Sequence, residues 1–245
     1  FPDRCIDVGI AEQHAVTAAT GMAMGGLRPL VAVYSTFLTR AFDQVNLDVG
    51  LHGEPVVFCL DRAGITGDDG ASHHGVLDMA LLSKLPGRTV IAPSTYQELP
   101  QMLHDALDIT SGPVAIRSPK TPAPIVDETE DCHRLRARKL RSGTDVCILA
   151  VGKMLAAATE AATRLEAEGI DATVWDVRCV TPLDDDMLDD AAGHPLVITI
   201  EDGIRDGGCG SAVRDRLADL PGAPTVRVLG VPLEYVPHGN VDQIL

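Results

Sequence analysis

Four stretches of this sequence gather polar and charged side chains where chemistry could be done. DVGIAEQHAV (7–16) sets Glu12, Gln13 and His14 between a short apolar run and a helix-like one. YSTFLTR (34–40) carries Tyr34, Phe37 and Arg40, and RSPK (117–120) ends on Lys120. DRAGITGDDGASHHG (61–75) places Arg62, Asp68, Asp69, His73 and His74 in a segment of 15 residues with four glycines. Such a long segment with little helix or strand tendency is a functional loop or a mobile surface one. Its basic residues suit a small anion. Its GDDG lacks the Lys-Ser/Thr of a phosphate-binding P-loop and the spaced acids of a calcium loop. Adjacent histidines diverge, so His73 and His74 do not share a metal. Glu12 poses a question, because a buried carboxylate is costly without a partner. A Glu in the first turn of a helix is also what the helix dipole alone favours.

These stretches have to be held by something. Strand-like runs at Cys5–Val8, Leu30–Tyr34, Pro55–Leu60, Thr89–Ala92 and Val114–Arg117 alternate with helical patterns at Glu12–Met24, Thr36–Leu51, Val76–Leu82 and Thr95–Leu107. Pro100 is expected to shorten or kink the last helix. Residues 119–143, rich in proline and charge, read as a linker. The alternation resumes with strands at Asp145–Val151, Ala172–Val177, Pro195–Ile200 and Thr225–Leu229, and helices at Met154–Glu168, Asp185–Ala192 and Gly210–Leu220. The expected fold class is α/β: two parallel-sheet, three-layer α/β/α domains at 1–118 and 144–245. All four stretches then fall just past strand ends, where open α/β sheets build their sites. EDGIRDGGCGSAV (201–213) suggests an anion site at a helix start, but Glu201 and Asp202 oppose that, and domain packing or a dimer contact is expected there.

Composition narrows the function. The formal charge of −15 over 245 residues argues against nucleic acid and anionic membrane surfaces. It leaves room for a local phosphate site. No run is long and apolar enough to span a bilayer, and there is no secretory signal. Six cysteines without a C-x-x-C pair read as buried reduced thiols of a cytoplasmic protein. An opening FPDRC without Met reads as a piece of something longer.

The motifs DVGIAEQHAV, VAVYSTFLTRAFDQV and LDRAGITGDDGASHHG closely resemble those of the 1-deoxy-D-xylulose-5-phosphate synthases, a thiamine-diphosphate family of the transketolase superfamily. The likeness continues through GPVAIRSPK and, more loosely, VWDVRCVTPLD and ITIEDGIRDGGCGSAV. It implies that the first unit is a pyrimidine-binding domain lacking its opening elements, and the second a transketolase-type C-terminal domain. It also implies a further diphosphate-binding domain with a Gly-Asp-Gly motif, which this sequence does not contain. Mg²⁺ would be held there, and a homodimer is expected.

The resemblance offers an answer for Glu12. A carboxylic acid hydrogen-bonded to the pyrimidine ring promotes the imino tautomer of thiamine, whose amino group then takes the proton from C2. The cofactor would be the partner of the buried carboxyl, and desolvation would raise its pKa. Phe37 matches the aromatic that packs on the pyrimidine, although core packing would also explain it. Tyr34 and Arg40 match residues lining the pocket. Arg62 and Lys120 match the residues that grip the phosphate of glyceraldehyde 3-phosphate, Lys120 standing where arginine is commoner. Asp69 and His73 match proton handlers or orienters near the reacting centre. His14 is assigned structural support. His74 stands where Gln or Asn is common and is assigned nothing. The implied reaction is decarboxylative condensation of pyruvate with glyceraldehyde 3-phosphate to 1-deoxy-D-xylulose 5-phosphate. Two other readings are a beta-subunit-like half of a 2-oxo-acid dehydrogenase or transketolase-type enzyme, and a non-catalytic dimerising module.

Overall fold

A computed structural model describes residues 1–126 and 135–245. The middle of the expected linker, 127–134 with Cys132, lies outside the described residues. In the first sheet, β1 (Leu30–Tyr34), β2 (Val57–Asp61), β3 (Thr89–Ile91) and β4 (Val114–Arg117) run parallel in the order β1-β2-β4-β3. In the second, β6 (Val146–Ala150), β7 (Ala172–Asp176), β9 (Leu196–Ile204) and β10 (Thr225–Val231) run parallel in the order β10-β9-β6-β7. Each sheet ends on an antiparallel strand that the sequence did not announce. These are β8 (Cys179–Thr181) beside β3 and β5 (Arg138–Arg141) beside β7. β5 falls within the stretch read as linker. β8 comes from the second unit and completes the sheet of the first.

The helices are α1 (Glu12–Met24), α2 (Ser35–Leu38), α3 (Phe42–Gln44), α4 (Asp78–Leu82), α5 (Glu98–Asp108), α6 (Leu155–Ala167), α7 (Asp185–Ala192), α8 (Cys209–Ala218) and α9 (Val241–Ile244). α1 buries Val16, Ala19, Thr20 and Ala23, the i, i+3, i+4, i+7 stripe of a helix lying on a sheet. Alternate residues of β2 serve opposite faces: Val57 packs with Met102 and Ala106 of α5, and Phe58 and Leu60 with the side holding α1. In the second sheet Ile148 packs with Ala158 and Ala162 of α6, and Cys147 and Leu149 face Met187 of α7 and Val213 of α8. The cluster holding Val16 and Phe58 also holds Leu149 and Val213, so one apolar core runs through both units.

Several expectations need correction. Cys5–Val8 is not a strand: Cys5 and Ile6 are exposed, and Asp7 Oδ1 accepts the Gly9 N–H at 2.8 Å. A local side-chain bond of this kind competes with ladder formation, and no strand among the described residues pairs with this segment to oppose it. Cys5 is therefore not a buried thiol, whereas Cys147, Cys179 and Cys209 are. The single helix expected over Thr36–Leu51 is broken into α2, a 3-10 turn at Thr39–Ala41, α3 and a π-helical stretch at Val45–Gly50. Its apolar period survives the breaks, because Leu38, Ala41, Val45 and Val49 are all buried. The helix expected from Thr95 starts at Glu98. Pro100 then lies in the first turn, where its missing N–H costs nothing.

Charged groups also join the units. Arg117 of β4, only 4% exposed, donates to Asp78 of α4 at 2.9 Å and to Asp202 of β9 at 2.7 Å. Removing one partner of so buried a group would cost about 3–5 kcal/mol.

Candidate functional site

The site is built at the carboxyl ends of β1, β2 and β4. Glu12 opens α1 behind an Ala11 that provides no side-chain cap. Its carboxylate, 12% exposed, accepts from Arg40 Nη1 at 2.8 Å. The partner of Glu12 here is thus an arginine of the same chain. The Arg40 guanidinium also lies 4.6 Å from the centroid of Phe37, over the face of that ring. Phe37 stacks on Tyr34, with centroids 5.8 Å apart and planes at 15°, and meets His73 edge-on at 5.4 Å. Tyr34 carries the Arg62 guanidinium 4.2 Å from its centroid. Arg62 Nη1 lies 3.5 Å from Asp69 Oδ2, and Lys120 Nζ donates to Asp69 Oδ1 at 2.8 Å.

Glu12, Arg40, Phe37, Tyr34, His73, Arg62, Asp69 and Lys120 therefore form one continuous row of contacts. His14 is exposed, as is Asp68. The hydrogen bond from Lys120 comes first among the causes that hold the Asp69 carboxyl below the usual carboxylate range, with the charges of Arg62 and His73 adding to it.

Local structure explains the aim of these groups. Arg62 follows β2 at φ +59, a left-handed conformation that costs a non-glycine residue about 1–3 kcal/mol and turns its side chain back toward Tyr34. Asp61 Oδ1 accepts the Arg62 N–H at 2.8 Å and steadies the turn. The loop that follows is pinched at its ends, where Gly64 and Gly75 exchange backbone hydrogen bonds of 2.9 and 2.8 Å. Ser35 Oγ donates to Gly75 O at 3.2 Å, and Thr36 Oγ1 to Ser72 O at 3.3 Å, tying the loop to α2. The long glycine-rich segment is thus ordered and held to the row of functional groups. Gly64, at φ +77, packs so closely on the second unit that an added Cβ would stand 1.9 Å from Asp202 Oδ2.

Two buried atoms of the row, Arg62 Nε and Asp69 Oδ2, have no hydrogen-bond partner among the described residues. Beside Glu12 lies a cleft of about 90 Å³ lined by Val8, Ala15, Val31, Val33 and Leu38. Among the described residues no group of three or more His, Cys, Asp or Glu side chains could hold a metal ion. No helix among them is long and apolar enough to cross a membrane.

Sequence reasoning missed His74, which is 7% exposed. Thr66 donates its backbone N–H to His74 Nδ1 at 3.1 Å, which leaves the hydrogen on Nε2, and Nε2 lies 3.3 Å from Pro237 O. It also missed Asp78 and Asp202, the buried partners of Arg117. No local signal marks either group, since their partners are distant in the chain.

Comparison with known proteins agrees with this architecture. The chain matches the pyrimidine-binding domain of transketolase over residues 1–124 and the transketolase C-terminal domain over residues 135–245. It belongs to the transketolase family. Among curated relatives it is similar to 1-deoxy-D-xylulose-5-phosphate synthases. That of Frankia casuarinae is 44% identical over 250 residues, which is 100% of this chain and 38% of that protein. That of Thermobifida fusca is 46% identical over 252 residues, 100% of this chain and 39% of that protein. The chain thus spans less than two fifths of the length of these relatives. Among solved structures it is similar to a split-gene transketolase described as an inactive β4 tetramer, with a TM-score of 0.86 and 33% identity, covering 96% of this chain and 77% of that one.

Proposed function

We propose that this chain forms the pyrimidine-facing and substrate-facing half of a thiamine-diphosphate enzyme that joins pyruvate to glyceraldehyde 3-phosphate, giving 1-deoxy-D-xylulose 5-phosphate and CO₂. The observation that carries the proposal is the continuous row from Glu12 to Lys120. It has a sheltered carboxylate beside an aromatic face at one end and two cations converging on Asp69 at the other.

The residues fit the cofactor. Glu12 is the carboxyl that would hydrogen-bond the pyrimidine nitrogen, Phe37 the ring that would pack on it, and Arg40 the cation that would flank both. When bound, thiamine diphosphate supplies a carbon nucleophile and an electron sink. Glu12 would hold and share the ring-nitrogen proton. Arg62, whose Nε has no hydrogen-bond partner among the described residues, and Lys120 would grip the phosphate of the aldehyde. Asp69, on which the two cations converge, and His73, edge-on to Phe37, would orient the aldehyde and move protons at its oxygen. The 90 Å³ cleft falls well short of the roughly 300 Å³ or more of a complete ligand pocket. A diphosphate- and Mg²⁺-binding domain beyond this chain would close it, and a homodimer is the assembly proposed.

The test is to incubate the complete enzyme with pyruvate and glyceraldehyde 3-phosphate and assay 1-deoxy-D-xylulose 5-phosphate. The expected result is product with the parent and almost none with Glu12→Ala. Turnover of a ketose phosphate in place of pyruvate would favour plain transketolase chemistry, a reading that the 33% identity to a split-gene transketolase keeps open. Transfer to lipoamide would favour the 2-oxo-acid dehydrogenase reading.

A further inference from the structure

The second unit does more than pack against the first. Its last segment lies directly on the loop that carries Asp69 and His73. Gly239 donates its N–H to Gly67 O at 3.3 Å. Gly67, at φ +73, is so closely covered that an added Cβ would stand 2.8 Å from Val241 Cγ2 and 2.9 Å from Gly239 O. His238 covers Gly70, its Cβ 3.4 Å from where a Cβ on that glycine would be. His74 spans loop and tail: it accepts from Thr66 on one ring nitrogen, and its other ring nitrogen faces Pro237 O. Within the loop, Gly70 O accepts from both His73 N and His74 N, so a shift of His74 carries His73 with it.

We infer that the tail from Pro237 to Ile244 is a clamp on the Gly67–His74 loop, and that His74 is a positioning residue setting where Asp69 and His73 stand. The inference rests on the reading that Asp69 and His73 face the phosphorylated aldehyde. His74 touches no substrate. Its imidazole, donating at one edge and accepting at the other, fixes the spacing between Thr66 and Pro237. Loops held only by their own backbone turns sample many arrangements, and an error of an ångström at a reacting group costs much of the rate.

The test uses the complete enzyme with His74→Ala, His74→Gln and Gly67→Ala. Glutamine keeps one donor and one acceptor on a side chain of similar reach. Hydrogen exchange of the Thr66–His74 amides is expected to rise at least tenfold in His74→Ala and Gly67→Ala while β2 and β4 keep their protection. KM for glyceraldehyde 3-phosphate is expected to rise about tenfold in the same variants with KM for pyruvate unchanged, and His74→Gln is expected to restore both measurements. Unchanged exchange in both His74→Ala and Gly67→Ala overturns the clamp. Faster exchange with unaltered KM for the aldehyde overturns the positioning role. If His74→Ala does not fold, Gly67→Ala decides by the same two measurements. A parent enzyme that does not join the two substrates defeats the functional reading instead, and the exchange result still decides the clamp.

Discussion

Arg40 touches both ends of the proposed cofactor site, with Glu12 on one side and the Phe37 ring beneath it. Arg40 is half exposed, so its ionic attraction to Glu12 contributes roughly 0–1 kcal/mol to stability. Glu12→Ala in the complete enzyme should therefore unfold at nearly the parent temperature. Its turnover should fall by about 10²–10⁴-fold, the usual weight of a proton-handling group. Turnover close to that of the parent would remove Glu12 from the chemistry. At the other end of the row, Lys120→Ala should raise KM for the phosphorylated aldehyde by about tenfold and leave KM for pyruvate unaltered, because one charge-assisted hydrogen bond contributes roughly 1.5–3 kcal/mol. Equal changes for both substrates would place the phosphate elsewhere.

Between elements, the informative group is Asp176 at the end of β7. Its Oδ2 lies 2.6 Å from Ser94 Oγ, and Glu98 Oε2 lies 2.9 Å from the same hydroxyl. One hydroxyl hydrogen cannot serve two carboxylates. A proton on Asp176 completes the chain Asp176–Ser94–Glu98, and burial next to Glu98 pushes the Asp176 carboxyl up to about 7. The folded state then binds a proton that the unfolded chain has released above about pH 4, so stability falls as pH rises from about 4 to 7. Thermal midpoints across that range should show a loss on the order of 1 kcal/mol per pH unit from this group, and Asp176→Asn should flatten the slope. A parent with no such slope would place the shared proton elsewhere.

Elements of this kind also mark how far the sequence could be read. The strands behind Tyr34, Arg62 and Lys120 were legible because each is a continuous apolar run followed by polar residues. Cys5–Val8 has the same look but no neighbour to pair with among the described residues. β5 was hidden because Arg138–Arg141 is a charged edge strand, its arginines paired with acids such as Asp176 and Glu166. β8 was hidden because three residues leave no periodicity. Seven of the eight residues in the row needed the family motifs to be picked out from other polar residues. Glu12 was conspicuous by itself. His74 could not be understood at all without Pro237, which lies 163 residues further on.

At the scale of the whole molecule, the chain is proposed to form one wall of a site, and its sequence contains no Gly-Asp-Gly motif of the kind expected for a diphosphate domain. The 245-residue chain alone should show no product from pyruvate and glyceraldehyde 3-phosphate. Adding a diphosphate-binding domain, as a separate protein or in one polypeptide, should restore it. Robust turnover by the chain alone would refute it.

Finally, β8 belongs by sequence to the second family domain and by hydrogen bonds to the first, with Ile91 opposite Cys179 and Ala92 N–H bonded to Arg178 O at 2.8 Å. A piece cut at residue 124 would leave the backbone edge of β3 bare and ready to stick to other chains. The boundary drawn by family matching is therefore not a boundary of independent folding, and recombination at that point would have to carry both halves together.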